Sequence, residues 1–572
     1  MWVMVALFFA SCGENRPENV TVKILATTDV HGALFPYDFV NKRATNFSLA
    51  QVCGYVEQER ANTNQHVLLL DNGDILQGQP VVYYSNFEDT TQQHICARAM
   101  NFMQYDAATI GNHDIEPGHE VYDKVRREFQ FPWLAANAVK NSDGKPYFTP
   151  YTVVNKGGIK IAILGLITPA IPQWLPENIW SGMHFDPMVE SANKWLKVIQ
   201  EKEQPDLVVG LFHSGLGNGE KQKKGVTEQA SKLVAKSVSG LDMIICGHDH
   251  QEFMNWVKNP EGKEVLIINP NNSTRKLAEV EVKFRLMKDC KSYQKEFTPK
   301  LLDGTKLPVS KQFMAEFAGD YDTVKKYVDK EIGSFKHSVS IPDAMFGDAA
   351  FIDLIHQAQL EISNADISFA APLSFNATIK AGAITVGDLF KLYRYENLLY
   401  TMNLSGKEIK DFLEYTIDLW FAKVNNSDNH LIKLRKRGDR WFTQTPFFSF
   451  DTAAGIDYDV DLTKPLGERV TIKKMSNGNA FSEAKMYSVA VNSYRGNGGG
   501  GHLTKGAGIA KKELANRIQK STTKDMRYFI MKWIEQKQVV TPHCDNNWTI
   551  APKKWWEKAK KVDYELLYPT RK

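Results

Sequence analysis

The chain has 572 residues, longer than one hydrophobic core usually spans, so its length predicts two to four domains. With 43% hydrophobic and 24% charged residues, the composition excludes a mainly disordered, collagenous or coiled-coil protein. A formal net charge of +4 is too small to attract a free nucleic-acid duplex. Six cysteines without a Cys-x-x-Cys pair argue against both a disulfide scaffold and a thiolate zinc site.

The amino terminus has the pattern of an export signal. The first eleven residues are almost wholly apolar, and the chain turns polar after Cys12. Ala10 and Ser11 before Cys12 resemble a bacterial lipobox, although Phe9 stands where leucine is usual and no basic residue precedes the apolar run. We therefore expect Cys12 to be lipidated and the chain exported as a membrane-anchored lipoprotein, periplasmic or on the outer surface. The alternative is an apolar N-terminal strand.

The spacing of apolar runs divides the rest of the chain. Short runs rich in valine and isoleucine, each followed by a polar turn with glycine, alternate with helical patterns through residues 20–295. This alternation predicts an α/β domain after a signal and tether at 1–19. The polar segment 310–332 predicts a linker helix within 296–336. A second α/β unit fills 337–572, with a predicted helix over 348–362 and a strand over 367–371.

Five turns at the ends of predicted strands in the first domain carry side chains that bind metal ions. Each turn alone has an ordinary explanation, because aspartate often caps a helix and asparagine often bonds its own backbone. Their shared position is the informative feature, because α/β sheets place their sites at the carboxyl ends of strands. The predicted metal ligands are Asp29, His31, Asp74, Asn112, His213, His248 and His250.

These residue types suit the hydrolysis of phosphate esters. Two divalent ions about 3.5 to 4 Å apart hold both the attacking and the leaving oxygen of a phosphoryl displacement. A carboxylate between the ions offsets their repulsion, and neutral imidazole and amide ligands add no charge that would repel phosphate. Oxygen and nitrogen ligands suit Mn, Zn, Fe, Co or Mg, and the sequence does not choose among them. No covalent serine or cysteine nucleophile is required.

The spacing Asp-x-His, Gly-Asp, Gly-Asn-His-Asp, His and Gly-His-x-His resembles that of the calcineurin-like metallophosphoesterases. The resemblance implies a four-layer β-sandwich flanked by helices, whereas alternation alone suggests a doubly wound parallel sheet. The implied ligands are Asp29, His31 and His250 for one ion, Asn112, His213 and His248 for the other, and Asp74 as the bridge. The resemblance also implies that His113 stabilises the phosphoryl charge or protonates the leaving oxygen, with Asp114 orienting its ring.

The second unit contains a candidate nucleoside pocket. Two aromatic rings on separate loops would sandwich a base, each stack contributing about 1 to 3 kcal/mol, and Tyr395 and Tyr494 are the candidates. Glycines 498–501 beside Tyr494 would let a flat ligand approach the backbone. These blocks resemble the C-terminal domain of the secreted nucleotidases, and the resemblance places Tyr395 and Asn397 in an aromatic-x-Asn block that binds substrate.

Two departures from the 5′-nucleotidase pattern bear on the substrate. The arginine that clamps a terminal phosphate is absent from segment 372–376, and the glycine run lacks the aspartate that would bind ribose hydroxyls. Both losses favour hydrolysis of a 2′,3′-cyclic nucleotide to a 3′-nucleotide, and then to nucleoside and phosphate, in nucleotide salvage outside the cytoplasm. The alternatives are a 5′-nucleotidase or UDP-sugar hydrolase, and a lipid-anchored nucleoside-binding protein with an inactive site.

Overall fold

The structure is a computed structural model that describes residues 16–222, 226–288, 292–426 and 429–569. The predicted lipidation site Cys12 lies outside the described residues. Among the described residues no helix is both long and apolar enough to span a bilayer. The cysteines at 53, 96, 246 and 544 are free thiols.

The first domain is built on two six-stranded sheets, each mixing parallel and antiparallel pairs. Across the first sheet the strands are Tyr293–Asp303, Lys276–Leu286, Asn19–Thr27, His66–Asp71, Ala107–Thr109 and Trp133–Leu134. Across the second they are Glu252–Lys258, Glu264–Pro270, Met243–Cys246, Leu207–His213, Ile159–Ile167 and Tyr151–Lys156.

Strand periodicity explains why the sheets stack between helices. Successive side chains of a strand point to opposite faces. Ile24 therefore enters the apolar layer between the two sheets, while its neighbour Leu25 packs against the helices outside the first sheet. In the second sheet Ile161 enters the shared layer, and Leu164 faces the outer helices. The four-layer β-sandwich that the family resemblance implied is confirmed, and a doubly wound parallel sheet is excluded.

Helices cover both outer faces of the sandwich. The longer ones are Leu49–Ala61, Ile95–Phe102, His119–Glu128, Met188–Lys202 and Ser231–Ser237. Shorter helices are Pro80–Tyr83, Asn112–Ile115 and Ile171–Trp174. Small two-stranded ribbons pair Tyr37–Asp38 with Arg43–Ala44 and Ala138–Lys140 with Met183–Phe185.

Two helices, Lys311–Glu316 and Ala318–Asp329, occupy the segment predicted as a linker. Arg98 of the first domain pairs with Asp320 on the second of these helices at 2.7 Å. The following strand, Glu331–Phe335, already pairs with Gly382–Thr385 of the second domain, so that domain begins ahead of residue 337.

The second domain contains a mixed five-stranded sheet and two three-stranded sheets. The five strands are, in order, Thr452–Ala454, Ile367–Ala370, Met486–Asn492, Leu399–Ser405 and Ile518–Ser521. The smaller sheets contain Gly382–Thr385, Glu331–Phe335 and Val539–Val540, and Val470–Met475, Ile456–Asp461 and Trp548–Ala551. The main helices are Ala350–Ser363, Val386–Leu392, Gly406–Trp420, Met526–Lys537 and Lys553–Leu567.

Candidate metal centre and substrate cavity

The seven predicted metal ligands lie together at one edge of the sandwich, each at or just after the carboxyl end of a strand. They form two groups. Within each group the possible ligand atoms lie within 4.8 Å of one another. The groups are Asp29, His31 and His250, and Asp74, His213 and His248, with Asn112 beside the second.

In the first group, two imidazoles and a carboxylate converge. Nε2 of His31 lies 3.1 Å from Nε2 of His250, which in turn lies 3.2 Å from Oδ1 of Asp29. The other nitrogen of His31 lies 3.0 Å from the carbonyl oxygen of Gln77, which fixes the ring and leaves Nε2 for a ligand. Two facing ring nitrogens beside the buried Asp29 carboxylate fit a divalent cation.

The second group is more deeply buried. His213 Nδ1 donates to the Asn72 carbonyl oxygen at 2.6 Å, so Nε2 points at Asp74 Oδ2 at 3.1 Å and at Asn112 Oδ1 at 3.2 Å. Burial alone would raise the pKa of Asp74, but the neighbouring rings of His213 and His113 hold that pKa well below its usual range. A buried, ionised carboxylate among imidazoles also fits a cation.

The backbone holds these ligands in a sparsely populated conformation. Five non-glycine ligands have positive φ angles: Asp29 at 48°, His31 at 48°, Asp74 at 61°, His248 at 70° and His250 at 51°. Such strain persists only where the surrounding structure enforces it, and it clusters at functional sites. Close packing supplies that enforcement, because a Cβ on Gly111 would lie 2.1 Å from Asp74 Oδ1.

His113 is the second residue of the short helix Asn112–Ile115, and its backbone N–H donates to Asp74 Oδ1 at 2.8 Å. Its Nδ1 donates to Glu116 Oε2 at 2.5 Å. Burial lowers the pKa of His113, but the Asp74 and Glu116 carboxylates have the larger, opposite effect. The pKa of His113 is therefore raised, to about 9. The ring is therefore oriented by Glu116, and its other nitrogen is left for a substrate oxygen.

The structure corrects the role predicted for Asp114. Both of its carboxylate oxygens are engaged by backbone N–H groups, with none directed at the His113 ring. The donors are the N–H groups of Gly111, Asp74, Ile75 and Leu76, at 2.7 to 2.9 Å. Asp114 thus shapes the loop that carries Asp74 and does not orient the histidine.

A cavity of about 340 Å³ joins the metal centre to the second domain. Asn112, His113 and His248 line it on one side, and the predicted substrate residues line it on the other. Those residues are Tyr395, Asn397 and Tyr494.

Sheet pairing brings the predicted substrate residues together. Leu399 pairs with Asn492 in antiparallel strands, so the start of one strand lies beside the end of the other. Asn397 therefore lies close to the short helix Ser493–Gly496 that carries Tyr494. The glycine run allows the Tyr494 ring to pack closely against the backbone, because a Cβ on Gly499 would lie 2.7 Å from that ring.

Among the side chains that line the cavity and that sequence reasoning missed are Glu116, Trp174, Glu228 and Phe448. The ring centroids of Trp174 and His248 lie 5.6 Å apart, and Glu228 Oε1 lies 2.9 Å from His248 Nε2. A signal existed for Glu116, because it follows His113 by three residues, the spacing of neighbours on one helical face. Trp174 ends the short helix Ile171–Trp174, Phe448 lies in the 3-10 helix Phe447–Ser449 and Glu228 lies in a loop, and none of the three falls in a distinctive sequence pattern.

Comparison with known proteins agrees with this architecture. A family model described as calcineurin-like phosphoesterase matches residues 22–252, and one described as 5′-nucleotidase, C-terminal domain matches residues 331–505. A putative 5′-nucleotidase from Staphylococcus aureus shares the fold, with a TM-score of 0.74 and 20% identity over 93% of this chain and 99% of that chain.

Two curated relatives are similar over almost the whole chain. A 2′,3′-cyclic-nucleotide 2′-phosphodiesterase/3′-nucleotidase from Haemophilus influenzae is 26% identical over 93% of this chain and 88% of the relative. The trifunctional nucleotide phosphoesterase protein YfkN from Bacillus subtilis is also 26% identical, over 94% of this chain. This chain spans only 39% of that relative.

A metallophosphoesterase domain implies divalent metal ions, and the two groups of donors fit them. The chain therefore joins an N-terminal calcineurin-like phosphoesterase domain to a 5′-nucleotidase C-terminal domain.

Proposed function

We propose that the chain hydrolyses 2′,3′-cyclic nucleotides to 3′-nucleotides and then removes the remaining phosphate to release the nucleoside. The observation that carries this proposal is one cavity lined by Asn112 and His248 of the candidate metal centre, together with His113, on one side and by Tyr395 and Tyr494 on the other. The names of the relatives from Haemophilus influenzae and Yersinia enterocolitica support the same substrate class.

The residues present would hold two divalent ions. One ion would take Asp29, His31 and His250, and the other Asn112, His213 and His248, with Asp74 between them. Bound divalent cations supply positive charge for the phosphoryl oxygens and make a nucleophile available from water at neutral pH. Which metal is bound stays open, because oxygen and nitrogen donors suit Mn, Zn, Fe, Co and Mg alike.

The protein's own groups orient the ester and move a proton. His113, held by Glu116, would donate from its other ring nitrogen to the oxygen that leaves phosphorus. Tyr395 and Tyr494 would stack on the base, and Asn397 would bond the nucleoside. The absence of an arginine from segment 372–376 supports a phosphate on the 2′,3′ side of the ribose.

The function is tested with Asp74→Asn. We expect this variant to lose hydrolysis of both bis-p-nitrophenyl phosphate and 2′,3′-cyclic AMP, because the neutral amide no longer offsets two cations. The matched control is Asp439→Asn, which makes the same change at an exposed turn. Wild-type rates in Asp74→Asn would exclude the proposed metal centre.

The alternative of a 5′-nucleotidase is tested by substrate preference. One enzyme sample is assayed with 3′-AMP, 5′-AMP and UDP-glucose at equal concentrations. We expect 3′-AMP to be consumed fastest, measured as loss of substrate because UDP-glucose would yield UMP and glucose 1-phosphate without free phosphate. A clear preference for 5′-AMP or for UDP-glucose would overturn the assignment. Binding of nucleoside without turnover, at every metal tested, would instead favour an inactive nucleoside-binding protein.

We also propose, from the sequence alone, that the chain is exported and lipidated at Cys12. Metabolic labelling with a fatty acid is expected to mark the wild type and to leave Cys12→Ser unlabelled.

A further inference from the structure

A second and larger cavity, of about 600 Å³, lies between the two domains. His31 of the candidate metal centre lines it, together with Gln79 and Asn272. Asn272 is also tied to the centre, because its side-chain amide lies 3.0 Å from His250 Nδ1. The second domain contributes residues 374–377, 390, 391 and 394 to the wall. The cavity therefore opens directly onto the candidate metal centre.

The two cavities share no lining residue among those that the structure describes. His113 lines the cavity that carries the tyrosines, whereas His31 lines the second cavity. The centroids of these two rings lie only 5.4 Å apart. A phosphorus atom at the candidate metal centre therefore has room for one ester substituent in each cavity. A mononucleotide would occupy only the cavity that carries the tyrosines.

The second cavity carries positive charge. Four cationic side chains line it: Arg43, Arg275, Lys391 and Arg394. Two of them are partly neutralised, since Lys391 donates to Asp388 at 2.8 Å and Arg43 lies 3.8 Å from Asp38.

Arg275 and Arg394 supply the remaining charge. Neither forms an ion pair within the described part of the chain, and a guanidinium suits the two-point recognition of phosphate.

The protein positions the side chain of one of these arginines and the backbone of the other. The guanidinium carbon of Arg275 lies 4.9 Å from the centroid of the Phe47 ring. The backbone carbonyl of Arg394 accepts a hydrogen bond from the buried Arg527 at 2.7 Å, which anchors the segment from which the Arg394 side chain extends. The cavity thus presents the exposed side chains of Arg275 and Arg394 beside the half-buried rings of Tyr37 and Phe375. Cations next to aromatic faces match a nucleotide better than inorganic phosphate.

We propose that this second cavity binds the charged second unit of a short linear oligonucleotide, so that the enzyme also hydrolyses diesters between two nucleotides. The proposal rests on the proposed function, because it places the scissile phosphorus at the same centre. The first base would lie between the tyrosines, and the phosphorylated second nucleotide would face Arg275 and Arg394. Water adds to phosphorus, the bond to the 5′ oxygen of the second unit breaks, and that oxygen receives a proton. Both products are 3′-nucleotides, the substrate of the second proposed step.

The test compares two adenylate dinucleotides that differ in one charge. ApAp carries a 3′-terminal phosphate on its second unit, and ApA does not. We expect wild type to have a kcat/KM for ApAp about tenfold or more above that for ApA, as charge-assisted hydrogen bonds to phosphate imply. In the double variant Arg275→Ala/Arg394→Ala this preference is expected to disappear, while kcat/KM for 2′,3′-cyclic AMP changes less than about twofold. The cyclic nucleotide reaches neither arginine, and its rate also shows that the variant is folded.

The control is Arg440→Ala, which removes one arginine charge at the exposed start of the hairpin strand Arg440–Thr443, outside both cavities, and is expected to keep the preference. If wild type cleaves 2′,3′-cyclic AMP but shows equal kcat/KM for ApAp and ApA, the second cavity has no such role and the proposed function stands. If Arg440→Ala loses the preference for ApAp over ApA as completely as the double variant does, the proposed subsite is likewise excluded. If no phosphate ester is cleaved, the proposed function itself fails.

Discussion

At the residue scale, the pair His113 and Glu116 combines two effects on one ring. Their 2.5 Å hydrogen bond holds the ring orientation, and the carboxylate charge favours the protonated imidazole. The carboxylate of Asp114, the residue next to His113, instead accepts hydrogen bonds from backbone N–H groups. Two acidic side chains so close in sequence therefore have different roles: Glu116 orients the His113 ring, and Asp114 holds the loop that carries Asp74.

Glu116→Gln separates these effects, because glutamine keeps a hydrogen-bonding group but loses the charge. We expect kcat for 2′,3′-cyclic AMP to fall roughly 10- to 100-fold with little change in KM, as for other partners that orient an active-site imidazole. Steady-state kinetics of the metal-loaded enzyme measure both constants. Glu120→Gln, at an exposed position nearby, is the control. Unchanged kcat in Glu116→Gln would remove Glu116 from the proposed mechanism.

At the scale of single elements, local motifs decide where helices begin. The helix Gly406–Trp420 starts with a capping box, in which Glu408 N–H donates to Ser405 Oγ at 3.2 Å and Ser405 N–H donates to Glu408 Oε2 at 2.7 Å. These two bonds satisfy backbone donors that the first turn leaves without partners. The helix packs within the second domain through Ile409 and Phe412, so its start is coupled to the core.

Ser405→Ala removes one half of the capping box. We expect the free energy of unfolding to fall by about 1 kcal/mol, the usual cost of losing such a cap, with kcat unaltered. Urea denaturation followed by circular dichroism measures the change. Ser142→Ala, in an exposed turn, is expected to stay within about 0.5 kcal/mol of wild type. An equal loss in both variants would contradict a capping role.

At the scale of the whole molecule, specific contacts hold the two domains around the candidate centre. The hydroxyl of Tyr83 donates to Asp525 at 2.9 Å across the domain boundary. Arg527 lies over the rings of Tyr83 and Phe390, with its guanidinium carbon 4.5 and 4.0 Å from their centroids. Lys511 donates to the carbonyl oxygen of Gln173 at 3.2 Å. These contacts keep both cavities walled by both domains.

Stability of the fold is expected to depend on pH through buried neutral histidines, of which His356 is the clearest. It is 1% exposed, lies 2.9 Å from both Ser368 Oγ and Thr452 Oγ1, and burial lowers its pKa to about 3. Below about pH 6.5 the unfolded histidine binds a proton that the folded one does not. The stabilising contribution of neutral His356 is therefore fully present above about pH 6.5 and is lost as the pH falls toward 3. The loss in the free energy of unfolding is at most about 1.4 kcal/mol per pH unit.

His356→Gln tests this dependence, because glutamine does not titrate. We expect the variant to melt below wild type at pH 7.5, and the difference in Tm to shrink at pH 5. Differential scanning calorimetry at both values gives the comparison. A difference that is constant or that widens at pH 5 would show that His356 is protonated in the native state.

The sequence alone determined the two-domain plan and the candidate ligand set, because each ligand lies just past an apolar run whose strand character is local. Tyr395 and Tyr494 were predicted from aromatic blocks and Asn397 from the resemblance to the nucleotidases, and their role in substrate binding stays a prediction. Periodicity could not choose between a sandwich and a doubly wound sheet. That choice depends on pairing between distant strands, such as Asn19–Thr27 with Lys276–Leu286.

Only the tertiary structure showed which carboxylate orients the His113 ring and where the second cavity lies. Asp114 and Glu116 both follow the histidine closely, and only the path of the backbone turns Asp114 toward the loop at residues 74–76. The second cavity draws Arg275 and Arg394 from segments that are far apart in the chain. No local sequence pattern predicts that these two arginines line one cavity, because the packing of the two domains brings them together.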